Sequence, residues 1–416
     1  MRLGDICSKI GSGATPRGGK EAYSASGIPI IRSQNVLDWS FSSNGLAYLN
    51  DEQARTLSNV EVHQGDILLN ITGDSVARAC IVPSDVIPAR VNQHVAILRP
   101  KEKANATFIL AWLQTNKDLL LKLASSGATR NALTKRMLEG LDINLPSIDI
   151  QNHIAALISL IQSKINLNIK LNGYLLEYLK TYAKTLYCEY ENDKNAILPR
   201  NWRWAEIAEI AGMVCRGIAP KYSDVSDEVV LGQTCVRSNL ILVENGRTHA
   251  PRKKTEKWLK KYDLLINSTG VGSLGRTAQV WFEPKKLVAD SHITIVRTAD
   301  PRYALYLGFW AFKHEKHIES LHTGSTGQTE LPRDYVKTMR LVLPDDKTLN
   351  RFNKIAVPMV ELIVANQREN KRLEEIRDRL LPKLMSGEID VSKIDLMQLN
   401  SHLAEYSTVL GKLFPL

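Results

Sequence analysis

The chain has 416 residues, 44% of them hydrophobic and 24% charged, a balance that excludes a disordered or fibrous protein and gives room for two or three domains. A net charge of +10 favours a polyanionic partner, nucleic acid before others. No apolar run is long enough for a bilayer, MRLGDICSKIGSG lacks a signal peptide's apolar core, and five scattered cysteines without a C-x-x-C pair argue against a zinc knuckle, so a cytoplasmic chain is expected.

Residues 1–147 read as a globular stretch of mixed α and β character. Short apolar runs (IPIIRS, GDILLNI, HVAILRP) alternate with Gly, Pro, Asn and Asp turns, and one helical run, FILAWLQTNKDLLLKLA, follows. A long helix is predicted over 148–190 and a linker over 191–202. A second globular stretch covers 203–345, with runs EVVLGQ, YDLLINS and HITIVR and the helical segment YALYLGFWAFKHEKHIESL. A second long helix is predicted over 346–388. Residues 389–416 form an extension, whose last stretch, LMQLNSHLAEYSTVLGKLFPL, reads as a short amphipathic helix, placed to pack on a partner or close a pseudo-symmetric circle.

The order repeats because the chain repeats. GDILLNITGDSVARACIV aligns with YDLLINSTGVGSLGRTAQV, setting Asp66 on Asp263, Asn70 on Asn267, Thr72 on Thr269 and Gly73 on Gly270 at an offset of 197 residues. His94 falls on His292 and Pro146 on Pro344 one residue further on. A period this long means two duplicated domains, not a solenoid.

Both long helices carry a seam with alternating steps of four and three. In the first it runs Ile154, Ile158, Ile161, Ile165, Asn168, Asn172, Leu175, Leu179. In the second it runs Phe352, Ala356, Met359, Ile363, Asn366, Asn370, Leu373, then shifts to Ile376 and Leu380. Two matched seams in one chain should pair with each other, antiparallel and about a pseudo-two-fold axis, with the asparagines fixing register. A helix of this kind spans ~50 Å at ~1.5 Å per residue.

With these features in place, the chain resembles the specificity (S) subunits of type I restriction-modification systems. ILPRNWRWAEIAEIAG (197–212) resembles the family's lead-in to a target recognition domain, GATRNALTKRMLEGLDINLPSIDIQNHIAALI (127–158) its passage into the conserved helix, and LEEIRDRLLPKLMSGEIDV (373–391) the close of the second helix. Pro146, Gln151 and Ile154 match the family's helix start, but Leu349 stands where the second copy would carry Gln. The resemblance implies two duplicated α+β target recognition domains separated by an antiparallel two-helix coiled coil. Each domain reads one half of a bipartite site on double-stranded DNA. The helices set the spacer and dock two methyltransferase subunits, through which restriction subunits join. The implied chain is non-catalytic, with no cofactor or metal of its own; S-adenosylmethionine and ATP belong to the partners. Two readers on one duplex face sit roughly 34 Å apart, within the helices' reach.

Catalytic motifs are absent on inspection. Gly270-x-Gly272-x-x-Gly275 has dinucleotide spacing, but RTAQVWF after it reads as a strand where a phosphate-binding helix is needed. GSGATPRGGKE (11–21) has Gly19 where a P-loop needs Lys, and HEKH (314–317) is followed by Ile318 where a zinc helix needs His. Two other readings stay open at this level: a cofactor-binding enzyme using Gly270–Gly275, and a helical interaction scaffold without sequence-specific DNA binding.

Arg, Lys, Asn and Gln on loops are the residue types that reach bases and phosphates. The candidates in the first domain are Arg17, Lys20, Arg32, Gln34, Asn35, Arg78, Asn92, Gln93, Arg130 and Lys135. In the second they are Arg216, Lys221, Arg237, Asn239, Lys253, Lys254, Lys257, Arg276, Gln328 and Arg333. RSQNV and VRSNL both follow strands, which makes Gln34, Asn35 and Asn239 the expected base readers. The basic run PRKKTEKWLKK (251–261) is a candidate phosphate clamp.

Overall fold

The structure, a computed structural model, describes residues 1–393 except 17, 126–130, 194–195, 251–256 and 325–328, and leaves out the side chains of Lys20 and Lys393. It forms two compact units. The first comprises Met1–Leu167 and the chain from Asn370 onward; the second is Asn168–Glu369. Among the described residues no helix is long and apolar enough to cross a membrane.

The first unit contains β1 (Cys7–Ser12), β2 (Ile28–Ile31), β3 (Ala47–Leu49), β4 (Glu61–Val62), β5 (Ile67–Asn70), β6 (Ala79–Ile81), β7 (Ala89–Val91) and β8 (Val95–Pro100). They form two four-stranded sheets, β1-β8-β5-β6 and β3-β2-β7-β4. All four residues of β5 are buried because both of its faces are covered. Alternation along the strand decides which side each residue serves. Ile67 and Leu69 join the core with Phe108 and Ile109 of the helix Ala106–Thr115, while Leu68 joins the core shared with Ile31, Val62 and Val91 of the second sheet. Asn105 starts that helix, its side chain accepting from the backbone N–H of Thr107 at 2.9 Å and of Phe108 at 3.2 Å.

The second unit contains β9 (Arg203–Glu206), β10 (Ala211–Arg216), β11 (Val229–Leu231), β12 (Val236–Arg237), β13 (Leu240–Ile241), β14 (Arg247–Thr248), β15 (Leu264–Asn267), β16 (Thr277–Gln279), β17 (Leu287–Ala289), β18 (Ile293–Thr298) and β19 (Arg340–Leu343). Its main sheet, β10-β18-β15-β16, has the strand order of β1-β8-β5-β6. The registers agree as well: β5 meets β8 with Ile67 opposite Leu98, and β15 meets β18 with Leu264 opposite Val296. A bulge falls at Cys7/Lys9 in one unit and at Ala211/Met213 in the other. β2 pairs parallel with β7, and β11 with β17.

One buried ion pair braces each main sheet. Arg99 grips Asp66 with two hydrogen bonds (2.7 and 2.8 Å), and Arg297 grips Asp263 in the same way (2.7 and 2.6 Å). Each carboxylate also caps its own turn, accepting from the backbone N–H of His63 (2.7 Å) or Lys260 (2.8 Å). These bonds raise both guanidinium pKa values, each arginine's bond to its aspartate being the largest cause.

The long helices are Ile148–Thr185 and Asp346–Ser386. Gln151 anchors the first: its Oε1 accepts from the Asn105 backbone N–H at 2.9 Å, and its Nε2 donates to the Pro146 carbonyl at 2.8 Å. Leu349, in the corresponding place, is fully buried. In the second unit the two helices run antiparallel, Asn366 donating to Asn172 Oδ1 at 2.8 Å, Asn172 to the Ile363 carbonyl at 3.2 Å, and Asn168 to Glu369 at 2.8 Å. In the first unit Asn370 meets the Ile165 carbonyl and Arg377 donates to Gln162 at 3.0 Å. Ile158, Ile165, Leu175 and Ile363 are buried along these seams, and Ile161, Met359 and Leu373 are half-buried. Of the expected shift to Ile376 and Leu380, the Ile376 part is overturned, while Leu380 is half-buried against the first unit's core. Ile376 is 44% exposed, and the seam keeps its register through Arg377, Leu381 and Leu384. Arg377 holds a core position because its guanidinium lies over the Trp39 ring at 4.8 Å.

Candidate nucleic-acid interface

In the first unit the turn after β5, the tight turn between β7 and β8, and the 3-10 turn Ser33–Asn35 converge at one edge of the sheets. They line an open cleft of about 790 Å³ that includes Ser33, Gln34, Thr72, Asp74, Arg78 and His94. Asn70, at the end of β5, supports it from beneath. Its amide is fully buried and donates to the carbonyls of Ser33 (2.9 Å) and Val36 (3.2 Å) and to the Ser75 hydroxyl (3.1 Å). Asn267, its counterpart, is also fully buried and donates to the Gln233 carbonyl at 3.1 Å.

Above each asparagine sits a Thr–His pair. Thr72 Oγ1 and His94 Nδ1 are 2.6 Å apart; Thr269 Oγ1 and His292 Nδ1 are 2.8 Å apart. Each histidine's backbone N–H donates to the side chain two residues earlier, Asn92 Oδ1 at 3.1 Å or Asp290 Oδ1 at 2.8 Å. Burial raises the Asp290 carboxyl pKa, and the His292 N–H draws it partly back. The aligned repeats already matched these threonines and histidines. What the sequence did not show is that sheet register brings each Thr-Gly turn against its histidine.

Gln34, Arg78, Gln93 and Lys135 are exposed on the first unit, and Lys221, Arg237 and Arg333 on the second; Arg276 is half-buried. Other candidates turn inward. Asn35 is fully buried, its amide donating to the carbonyls of Ser42 (2.8 Å) and Asn44 (3.2 Å), so it shapes the loop and does not reach outward. Asn92 is buried, its Oδ1 accepting from the His94 backbone N–H. Asn239 is 5% exposed and donates to Glu315 at 2.9 Å. It is also not the counterpart of Asn35. Val36 bridges Phe41 as Val236 pairs with Ile241, which puts Asn239 on Trp39 and Cys235 on Asn35. Trp39 and Asn239 share a left-handed backbone, with φ of 64° and 62°.

Arg32 is half-buried and donates to the Gly45 carbonyl. Arg216 donates to Glu330 and to the Leu331 carbonyl, both at 2.7 Å, and burial lowers its pKa. Lys257 donates inward to the Gly217 carbonyl at 3.0 Å. Arg17, Arg130, Lys253, Lys254 and Gln328 lie outside the described residues, as does the Lys20 side chain.

The glycines at 270–275 connect β15 to β16, with no helix between them. Gly270, Gly272 and Gly275 all have positive φ (88°, 74° and 84°), and a Cβ on Gly275 would lie 2.8 Å from the Glu315 carbonyl oxygen. Turn geometry is itself a reason for glycine at these positions. Gly275→Ala should cost about 2 kcal/mol through strain and contact, and Gly272→Ala, with open space around it, about 1 kcal/mol. Chemical denaturation of both variants checks the order. Among the described residues no group of three or more His, Cys, Asp or Glu is placed to hold a metal ion.

Residues 1–176 match the type I restriction modification DNA specificity domain. Over 94% of its own length and 94% of the relative's, the chain is 23% identical to the MjaIX type I restriction enzyme specificity subunit of Methanocaldococcus jannaschii. It is 25% identical to the HindI specificity subunit of Haemophilus influenzae, across 46% of this chain and 42% of that one. In fold it matches a crystal structure of the type I S subunit from M. genitalium, with a TM-score of 0.55 at 14% identity over 92% of this chain and 95% of that one. Over most of its length the chain is therefore similar to specificity subunits of type I restriction-modification systems, and residues 1–176 match their DNA specificity domain.

Proposed function

We propose that this chain is the non-catalytic DNA-recognition subunit of such a system, each unit reading one half of a bipartite site. The observation that carries this reading is a shared frame with different fittings. Both units have the same sheet order, the same Asp–Arg brace and the same Thr–His pair, while the exposed side chains around them differ. Such a pair of units suits two half-sequences on one duplex, where phosphate contacts hold position and base contacts select sequence. The two domains are the products of duplication. The long helices pair as an antiparallel coiled coil about a pseudo-two-fold axis, set the spacer, and dock two methyltransferase subunits, through which restriction subunits join. S-adenosylmethionine and ATP are taken by those partners, and the complex works in the cytoplasm. The basic run at 251–261 adds a phosphate clamp for one half-site.

Replacing residues 1–147 with the corresponding stretch of a relative of different specificity tests the reading. In cells supplying the methyltransferase, one half of the methylated motif should change and the other should stay. A change in both halves, or in neither, would contradict it.

A further inference from the structure

A feature common to both units cannot distinguish two different half-sequences; a feature that differs can. The exposed rim differs: Gln34, Asp74 and Gln93 in the first unit stand where the second has Thr234, Val271 and Ser291. The Thr–His pair does not differ. In both units the threonine hydroxyl holds the ring through Nδ1, and the turn fixes the histidine backbone. The other ring nitrogen, Nε2, makes no hydrogen bond among the described residues, and it carries the ring N–H in the tautomer whose Nδ1 accepts from the threonine hydroxyl. The Thr-Gly turn ends on an arginine in both cases. Asn70 N–H donates to the Arg78 carbonyl at 2.8 Å, and Asn267 N–H to the Arg276 carbonyl at 2.9 Å. Neither guanidinium has a carboxylate partner among the described residues. Arg78 lines the same cleft as His94, and Arg276 holds the matching turn position in the second unit. A ring N–H with an unpaired cation at the same turn suits an anion that recurs whatever the sequence.

Resting on the recognition role proposed above, we infer that His94 and His292 each donate Nε2–H to a phosphate oxygen of the DNA backbone, with Arg78 and Arg276 supplying charge. Thr72 and Thr269 are positioning residues that aim the rings. Base identity is then left to the differing rim.

The test uses the chain assembled with its methyltransferase subunits, duplexes carrying both half-sites, and a series in which single phosphates are replaced by neutral methylphosphonates. His94→Phe keeps the ring volume and removes the donor. It should bind about tenfold more weakly with an unchanged preferred sequence, as expected for loss of a hydrogen bond to a charged group. One methylphosphonate in the first half-site should weaken the wild type by a similar factor and leave His94→Phe unaffected. His292→Phe should show the same pattern in the second half-site alone, and Thr72→Val a smaller loss at the first. Arg78→Ala should lower the salt slope of binding by about one. Thermal melts without DNA separate folding defects from lost contacts. Unaltered affinity, altered base preference, or additive losses at every methylphosphonate position would overturn the inference. If the wild-type complex binds all duplexes alike, the recognition reading itself fails, and this is seen before any variant is made.

Discussion

Asp66→Ala is expected to remove about 3 kcal/mol of stability, and Asp263→Ala a similar amount, because each leaves an arginine without its buried partner. Both carboxylates are fully buried, whereas the Arg99 and Arg297 side chains keep 24% and 19% exposure. The stranded guanidinium can therefore recover some hydration, which sets the loss at the low end of the range for broken buried pairs. The turn cap on His63 or Lys260 goes as well, adding a cost of its own. A loss of this size is a large share of a domain's total stability. Each variant should unfold its own unit first, which hydrogen exchange resolved by residue would report. Uniform loss of protection across both units would argue that they do not fold independently.

Phe352→Ala should cost about 3–5 kcal/mol, the range for a large aromatic removed from a packed core. Phe352 is fully buried in the second unit, with Tyr182, Tyr306 and Phe309 rings at 5.6, 6.0 and 6.2 Å. It joins the long helix to the helix Ala304–Lys313, so the cavity would loosen the attachment of the seam to the globular part. Phe352→Leu should recover part of the loss. Denaturant midpoints for the two variants give the comparison, and equal midpoints would show that the site collapses around either side chain.

The repeat was legible because its landmarks are local. Gly73 and Gly270 occupy left-handed turns, with φ of 76° and 88°, that favour glycine, and the aspartates preceding β5 and β15 recur with them. The buried strands were legible as apolar runs bounded by turns. Side-chain direction in the loops was not. Asn35 and Asn239 look like ideal base readers in a sequence, yet a polar loop residue serves equally well as an inward brace, and only the fold decides. Aligning RSQNV with VRSNL failed for a similar reason: composition matched, but the bridge at Val36–Phe41 sets a different correspondence. Arg377 is not legible as a seam residue, because a charge on a seam reads as a break and its supports, Trp39 and Gln162, lie far away in sequence. The Thr–His pairs depend on strand pairing across about 20 residues, which periodicity does not report.

In the proposed function one chain carries two separate readers. Methylation mapping of a genome in cells that hold this chain with its methyltransferase, compared with cells lacking the chain alone, tests it most directly. The expected result is a methylated motif of two short defined sequences with a fixed unspecified gap, lost when the chain is removed. A continuous motif, or one that persists without the chain, would contradict the account.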